Sequence, residues 1–382
     1  MPRRFNTAGP CRPERHYMLP AALRIPQFRG LVDRQEYFVV HAPRQVGKTT
    51  TLAALTRALT REGTYAALLV SMEVGASFPG DLGAAELAVL GSWRADAAYA
   101  LPPELQPPPW PEAPPGQRIG AALRAWAMAS PRPLVLVLDE IDALQDEALV
   151  GVLRQIRDGY RRRPEQFPCS LALCGLRDVR DYRVAAGSEG RLGSASPFNI
   201  KARSLTLQGF TRQEVAALYA QHTADTGQVF TDDACERAFE LTQGQPWLIN
   251  ALAREAVEEL AIDPREAVTL AVIDAAKDEL IRRQDTHLDS LAERLREDRV
   301  RRVIEPILAG EALPQISVDD LLYAQDLGLV RASAAGGLVI ANPIYREVIP
   351  RSLASDEGRI AERTAAQSMT TPAGRAVQLV RA

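Results

Sequence analysis

Lysine is almost missing from this chain. Of 45 basic residues only Lys48, Lys201 and Lys277 are lysines, and the rest are arginines, the bias of a GC-rich coding sequence. Val46, Asn199 and Ala275 stand two residues before them, so a built-in nuclease with a D/E-x-K site is excluded. No N/T-K-x-D motif is present either, which disfavours a guanine-specific GTPase. Cysteine and histidine are also scarce. Cys11, Cys169, Cys174 and Cys235 show no C-x-x-C spacing, and His16, His41, His222 and His287 are scattered. That pattern argues against structural zinc and reads as small buried thiols. Long apolar runs are lacking: the first thirty residues hold no signal-peptide core, and nowhere do about 18 apolar residues follow one another. A cytoplasmic protein without membrane contact is the expectation. An excess of one charge is lacking too, since 48 acids against 45 bases leave −3, which excludes a basic nucleic-acid arm as the whole function.

What is present is 382 residues, 46% of them hydrophobic, enough for two or three domains with a sizeable core. After a Pro/Arg-rich lead-in (1–30), the run Tyr37 to Ala42 reads as a buried strand. Leu52, Leu55 and Leu59 then fall at helical spacing, and Tyr65 to Val70 gives a second strand. Strand, helix and strand in that order predict a parallel sheet. Residues 75–116 end in a proline-dense stretch that forbids helix and sheet interior, so they read as a surface insertion or linker. A helix over 118–128, the doubly buried strand Leu134 to Leu138, a helix over 147–162 and strands at 170–174 and 202–207 complete an α/β domain over 31–208. From Thr211, a predicted N-cap with Glu214 completing a capping box, the pattern turns helical through about 263. Residues 264–351 read as charged helices followed by helix, strand, Gly336-Gly337 turn, strand and helix, the order of a winged helix. Residues 352–382 read as a loose tail.

Ala42-Pro43-Arg44-Gln45-Val46-Gly47-Lys48-Thr49 matches the phosphate-loop pattern G-x-x-x-x-G-K-S/T except that Ala42 replaces the first glycine. Backbone N–H groups at a helix start wrap a β-phosphate, with Gly47 permitting the turn. Lys48 supplies a point charge to the β- and γ-phosphates, and the Thr49 hydroxyl is the predicted Mg²⁺ ligand. Pro43 to Thr50 are the predicted nucleotide-binding residues. The strand 134–138 delivers Asp139 to the carboxyl edge as a second Mg²⁺ ligand and Glu140 to polarise the attacking water. Asp142 reads as a helix N-cap. Arg161-Arg162-Arg163 reads as helix-end surface charge.

These residues resemble an AAA-like P-loop ATPase of the AAA+/STAND type, with the prokaryotic archaeal-type ATPases that end in a winged helix as the nearest likeness. The resemblance rests on Pro-Arg-Gln-Val-Gly-Lys-Thr, Leu-Asp-Glu-Ile-Asp, Cys174-Gly-Leu-Arg177-Asp178, Leu207-Gln-Gly-Phe210 and Gly244-Gln-Pro246, and covers roughly residues 30 to 350. It implies a P-loop α/β core with a helical lid (209–263) and winged helix, ATP and Mg²⁺ as cofactors, and slow or partner-stimulated hydrolysis. Arg177 falls at the first sensor and Pro246 at an adenine contact; local physics reads them equally well as a loop arginine and a helix-starting proline. Trp247 follows where many AAA+ proteins carry a second-sensor arginine, which favours a STAND-like switch. Arg180, Arg183, Arg191 and Arg203 are arginine-finger candidates or plain surface charges, and His16-Tyr17 is a packed pair or an adenine neighbour. A nucleotide-controlled switch in signalling or defence, with a protein partner or self-association, is the expected role. A DNA loader or motor is the alternative, disfavoured because the helix Val318 to Asp326 is acidic and would repel phosphate.

Overall fold

The computed structural model describes residues 3–144, 146–176, 200, 202–283, 294–311, 316–333 and 336–353. The chain divides into two compact units, Met1–Phe210 with Gln245–Trp247, and Thr211–Gly244 with Leu248–Ala382.

In the first unit, short helices α1 (Ala21–Arg24) and α2 (Gln27–Asp33) precede β1 (Tyr37–His41), α3 (Lys48–Glu62), β2 (Ala66–Ser71), α4 (Leu82–Ala100), α5 (Arg118–Ala129), β3 (Leu134–Asp139), α6 (Asp146–Gly159), β4 (Ser170–Gly175) and β5 (Arg203–Thr206). The five strands form one sheet in the order β2-β3-β4-β1-β5, and every pair is parallel. Strand side chains alternate between faces, and each face has its own core. Tyr37, Val39, Leu136, Leu138, Leu171 and Leu173 pack with Trp93, Trp126 and Ile156 on one side. Phe38, Val40, Val135, Val137 and Ala172 pack with Phe28, Leu52, Leu55 and Leu59 on the other. Burial on both faces explains the unbroken apolar strand 134–138.

Two expectations need correction. Residues 75–116 are not a surface insertion or linker throughout. They hold α4, whose Val89, Leu90, Trp93 and Ala97 are buried in the core, and Asp81 caps it by accepting from Ala84 N at 2.9 Å. Ala, Leu and Val dominate 84–100 and, apart from Pro79 ahead of the helix, the prolines begin at Pro102, so the proline argument applies to the second half alone. That second half is a ribbon fixed by side-chain donors to its carbonyls. Trp126 Nε1 donates to Leu105 O (3.0 Å), Arg94 Nη2 to Pro108 O (3.0 Å) and Arg118 Nε to Ala113 O (3.1 Å). From 110 to 116, residues 110, 113 and 116 are partly buried and those between them are exposed. A three-residue period is the repeat of polyproline II, which nearly every residue here favours because it is a proline or precedes one. Trp110 is the inward anchor. It packs edge-on against Trp126 at 6.0 Å and donates Nε1 to Leu90 O at 2.9 Å. Beneath the ribbon Glu86, 1% exposed, accepts from Gly116 N (2.7 Å) and Gln155 Nε2 (2.8 Å).

The second correction concerns the arginine triplet. Arg162 does pair with Asp158 at the surface, at 2.7 Å, but Arg163 stacks on Tyr37 at 4.7 Å and on Tyr160 at 3.5 Å, and is part of the packing. The lead-in is folded as well. Residues Arg4 and His16 form a bridge, Phe5 packs on Tyr17 at 4.8 Å, and His16 Nδ1 accepts from Arg12 N at 2.9 Å, so His16-Tyr17 is a packed pair.

In the second unit, α7 (Arg212–Thr226) begins with the predicted capping box. Glu214 N donates to Thr211 Oγ1 at 3.2 Å, and Thr211 N donates back to Glu214 Oε2 at 2.7 Å. Helices α8 (Asp232–Thr242), α9 (Pro246–Glu255) and α10 (Leu270–Arg283) follow. Tyr219 Oη donates to Ile249 O at 2.9 Å, and the buried Gln228 holds His222 (2.9 Å) and Ala261 O (2.7 Å). Further on, α11 (Asp298–Ala309) and α12 (Val318–Asp326) precede the antiparallel hairpin β6 (Val330–Ala332) and β7 (Leu338–Ile340), and a helix spans 343–353. Gly336 and Gly337 have φ of +92° and +76°, the conformation that makes glycine the apt residue at the hairpin end. The acid of α12 is answered locally, with Arg299 and Arg302 lying 3.3 and 3.6 Å from Asp320. The tail 354–382 lies outside the described residues.

Candidate functional site

The carboxyl ends of the strands finish nearly level: Ser71 lies opposite Asp139, Leu138 opposite Leu173, and His41 opposite Gly175. Ligands bind at this edge in open parallel sheets. Because β4 stands between β1 and β3, its end separates the loop after β1 from the acids after β3.

The loop 42–47 turns with Gln45 at φ +59° and Gly47 at φ +88°, and α3 begins at Lys48. A Cβ on Gly47 would meet no protein atom within 4 Å, so the backbone angle, not crowding by the protein, requires glycine. Ala42 is buried and donates its N–H to Gly175 O at 3.3 Å, in a place that tolerates a Cβ. Lys48 Nζ donates to Ala42 O and Pro43 O at 2.7 and 2.8 Å. Burial pushes its ammonium below the ordinary lysine range, and Cys174, Asp139 and Asp142 oppose that shift.

Thr49 and Asp139, 90 residues apart in sequence, meet directly: Thr49 Oγ1 donates to Asp139 Oδ2 at 2.6 Å. Asp139 Oδ1 accepts from Glu140 N at 3.0 Å. The Cys174 thiol beside them is pushed well above its usual range by burial and then by the Asp139 charge, so it stays a neutral thiol. A hydroxyl and a carboxylate are hard oxygen donors suited to Mg²⁺, which retains several waters and completes its octahedron with substrate phosphates. Among the described residues no group of three or more His, Cys, Asp or Glu could hold a metal ion.

Glu140 adopts φ +55°, a left-handed conformation uncommon for a side chain of its size, and so turns away from the strand direction. Its Oε2 accepts from Ser71 Oγ at 3.0 Å, and Ser71 Oγ also accepts from Glu73 N at 3.1 Å. Burial raises the Glu140 carboxyl from its ordinary range, and Glu73 and Asp139 add to the rise while the Ser71 bond opposes it. A carboxylate with a raised proton affinity at a solvent-accessible sheet edge suits a general base. Asp142 is not a helix N-cap. It lies within the turn Ile141–Ala143 and accepts from Leu176 N at 3.3 Å.

Sequence reasoning therefore placed Lys48, Thr49, Asp139 and Glu140 at one edge, and the structure brings them together. It missed Ser71 and Glu73, for which no spacing signal exists, because they arrive at the end of the neighbouring strand β2 and in the turn after it. Thr50 Oγ1 accepts from Cys11 N at 3.0 Å, tying the lead-in to α3. Pro246 opens α9, and its neighbour Trp247 donates Nε1 to Thr7 O at 2.8 Å. Arg254, in the last turn of α9, pairs with Glu258 at 2.9 Å. Arg177, Arg180, Arg183 and Arg191 lie outside the described residues, while Arg203 is exposed on β5.

The family model of an AAA domain matches residues 32–182, the span holding both the phosphate loop and the acidic strand end. The chain carries an AAA-like P-loop ATPase domain. Around this AAA domain the fold resembles the Walker-type ATPase PABY2304 of Pyrococcus abyssi, at 13% identity and a TM-score of 0.61, over 91% of this chain and 99% of that one. Looser likenesses are the ORC2 protein of Aeropyrum pernix (16% identity, TM-score 0.48, 88% of this chain and 93% of that one) and the RuvB Holliday junction branch migration motor of Thermotoga maritima (14%, 0.45, 86% and 92%). No curated protein matches the sequence. No helix among the described residues is long and apolar enough to cross a membrane.

Proposed function

We propose that this protein is a Mg²⁺-dependent ATPase of the cytoplasm that works as a nucleotide-controlled conformational switch in signalling or defence. The observation that carries the reading is the 2.6 Å contact between Thr49 Oγ1 and Asp139 Oδ2, which joins the phosphate loop to the acidic strand end. The N–H groups of Pro43-to-Thr50 that face the loop would cradle the β-phosphate, proline itself contributing only a carbonyl, and Lys48 would move from the Ala42 and Pro43 carbonyls to the β- and γ-phosphate oxygens. Thr49 and Asp139 would hold Mg²⁺, which when bound neutralises the charge that develops on the phosphates. Glu140 would orient and deprotonate the attacking water after giving up its Ser71 bond. Arg177 is assigned to reading the γ-phosphate and Pro246 to the adenine face. Residues 209–263 would serve as the helical lid and 264–351 as a helical linker and winged helix. The acidic α12 suits a protein partner or self-association better than DNA.

The test is solution mass of the Glu140→Gln protein with and without ATP, with duplex DNA in a parallel run. ATP-driven assembly or compaction without DNA is the expected result. DNA-dependent assembly or turnover would overturn the switch in favour of a DNA-associated loader.

A further inference from the structure

Two acids leave the end of β3 in opposite directions. Glu140 turns toward β2 and Ser71, whereas Asp142 turns toward β4 and takes the N–H of Leu176, the residue just past the end of that strand. Asp142 also interacts favourably with Lys48 and Arg44, both of the phosphate loop. One carboxylate thus accepts a backbone donor from just past the strand between the loop and the acids and lies within the electrostatic reach of two cations of the loop. Charge-assisted bonds to a backbone N–H are among the stronger ones in a partly buried site. Helix α6 begins four residues later, at Asp146, so Asp142 does not stand at its N-cap position. Burial raises the proton affinity of Asp142, so holding an ionised acid here costs stability, a cost that functional sites commonly carry.

From this geometry we infer that Asp142 is a positioning residue for the γ-phosphate end of the nucleotide: it fixes the end of β4 through Leu176 and gives Lys48 a fixed counter-charge on the side of the acids. It rests on the ATP-binding reading above. The β-phosphate is wrapped by the loop's own N–H groups and owes little to Asp142, whereas the γ-phosphate lies beyond Lys48, toward the ends of β3 and β4. Loss of Asp142 should therefore weaken ATP selectively and leave ADP nearly untouched.

The experiment is direct titration of the full chain with MgATP and MgADP, using wild type, Asp142→Ala, Asp142→Asn and Lys48→Ala, with a melting curve for each. Asp142→Ala is expected to lose about tenfold in the preference for ATP over ADP, the order of one charged hydrogen bond, at an unchanged ADP affinity. Asp142→Asn keeps an acceptor for Leu176 N but loses the counter-charge to Lys48, and should recover only part of that preference. An unchanged preference in Asp142→Ala, or equal loss of ATP and ADP binding in both variants along with a lowered melting temperature, would reduce Asp142 to ordinary packing. If wild type binds neither nucleotide, the ATP reading itself fails and this inference falls with it; if wild type binds and Lys48→Ala does not, that reading stands however Asp142 behaves.

Discussion

The phosphate edge and the proline ribbon belong to the same unit yet are built on opposite terms. At the edge, polar groups are held in uncomfortable arrangements: Lys48 is buried against carbonyls, Glu140 is left-handed, and burial raises both Glu140 and Asp142. Under the ribbon, Glu86 is more deeply buried but is met by Gly116 N and Gln155 Nε2. A site that must exchange partners with a ligand keeps its groups partly mismatched, whereas a buried acid with only a structural task collects its donors.

This contrast can be broken by substitution. The largest effect is expected from Glu140→Gln, which should slow ATP turnover on the order of 100-fold or more while retaining ATP, as measured by turnover and direct titration side by side. Lys48→Ala should weaken MgATP binding roughly 100-fold, read by calorimetric titration, with little change in melting temperature. On the ribbon side, Glu86→Ala leaves Gly116 N without its acceptor and takes one acceptor from Gln155 Nε2, and should cost on the order of 3 kcal/mol of stability, measured by denaturant unfolding, with ATP affinity unaltered in the folded fraction. Trp110→Ala, which loses its packing on Trp126 and its bond to Leu90 O, should cost about 2 kcal/mol by the same measurement.

The smallest prediction sharpens the comparison by its sign. Asp142 has a raised proton affinity in the folded chain, so wild type is most stable while the acid is protonated and loses stability as pH rises through the folded value. Asp142→Asn does not ionise. Its melting temperature should therefore gain on wild type as pH rises above the ordinary aspartate range, near 4, while the folded acid ionises. A constant difference across that rise would show that the charge at 142 costs nothing.

The sheet was legible because its strands are short, apolar and β-branched and its loop is bounded by strand and helix. Asp139, Lys48 and Thr49 could be named because phosphate chemistry fixes both residue type and spacing. Ser71 and the Asp142 bond to Leu176 N could not, since each depends on which strands are neighbours, and strand order leaves no mark in local sequence. Residues 75–116 misled for another reason. Proline density averaged over the whole stretch hid the helix-forming Ala and Leu of 84–100, and polyproline II owes its order here to side chains on α4 and α5 that are distant in sequence.

The three-residue repeat of that ribbon also limits how this region can change in length. Polyproline II advances about 3.1 Å and turns a third of a revolution per residue. Inserting one residue between Leu105 and Trp110 would swing the indole off Trp126, and inserting three would restore its direction but carry it about 9 Å along. Irregular surface segments usually accept insertions freely. This one, with no strand or helix of its own between 106 and 114, should be as intolerant of added or deleted residues as a central strand.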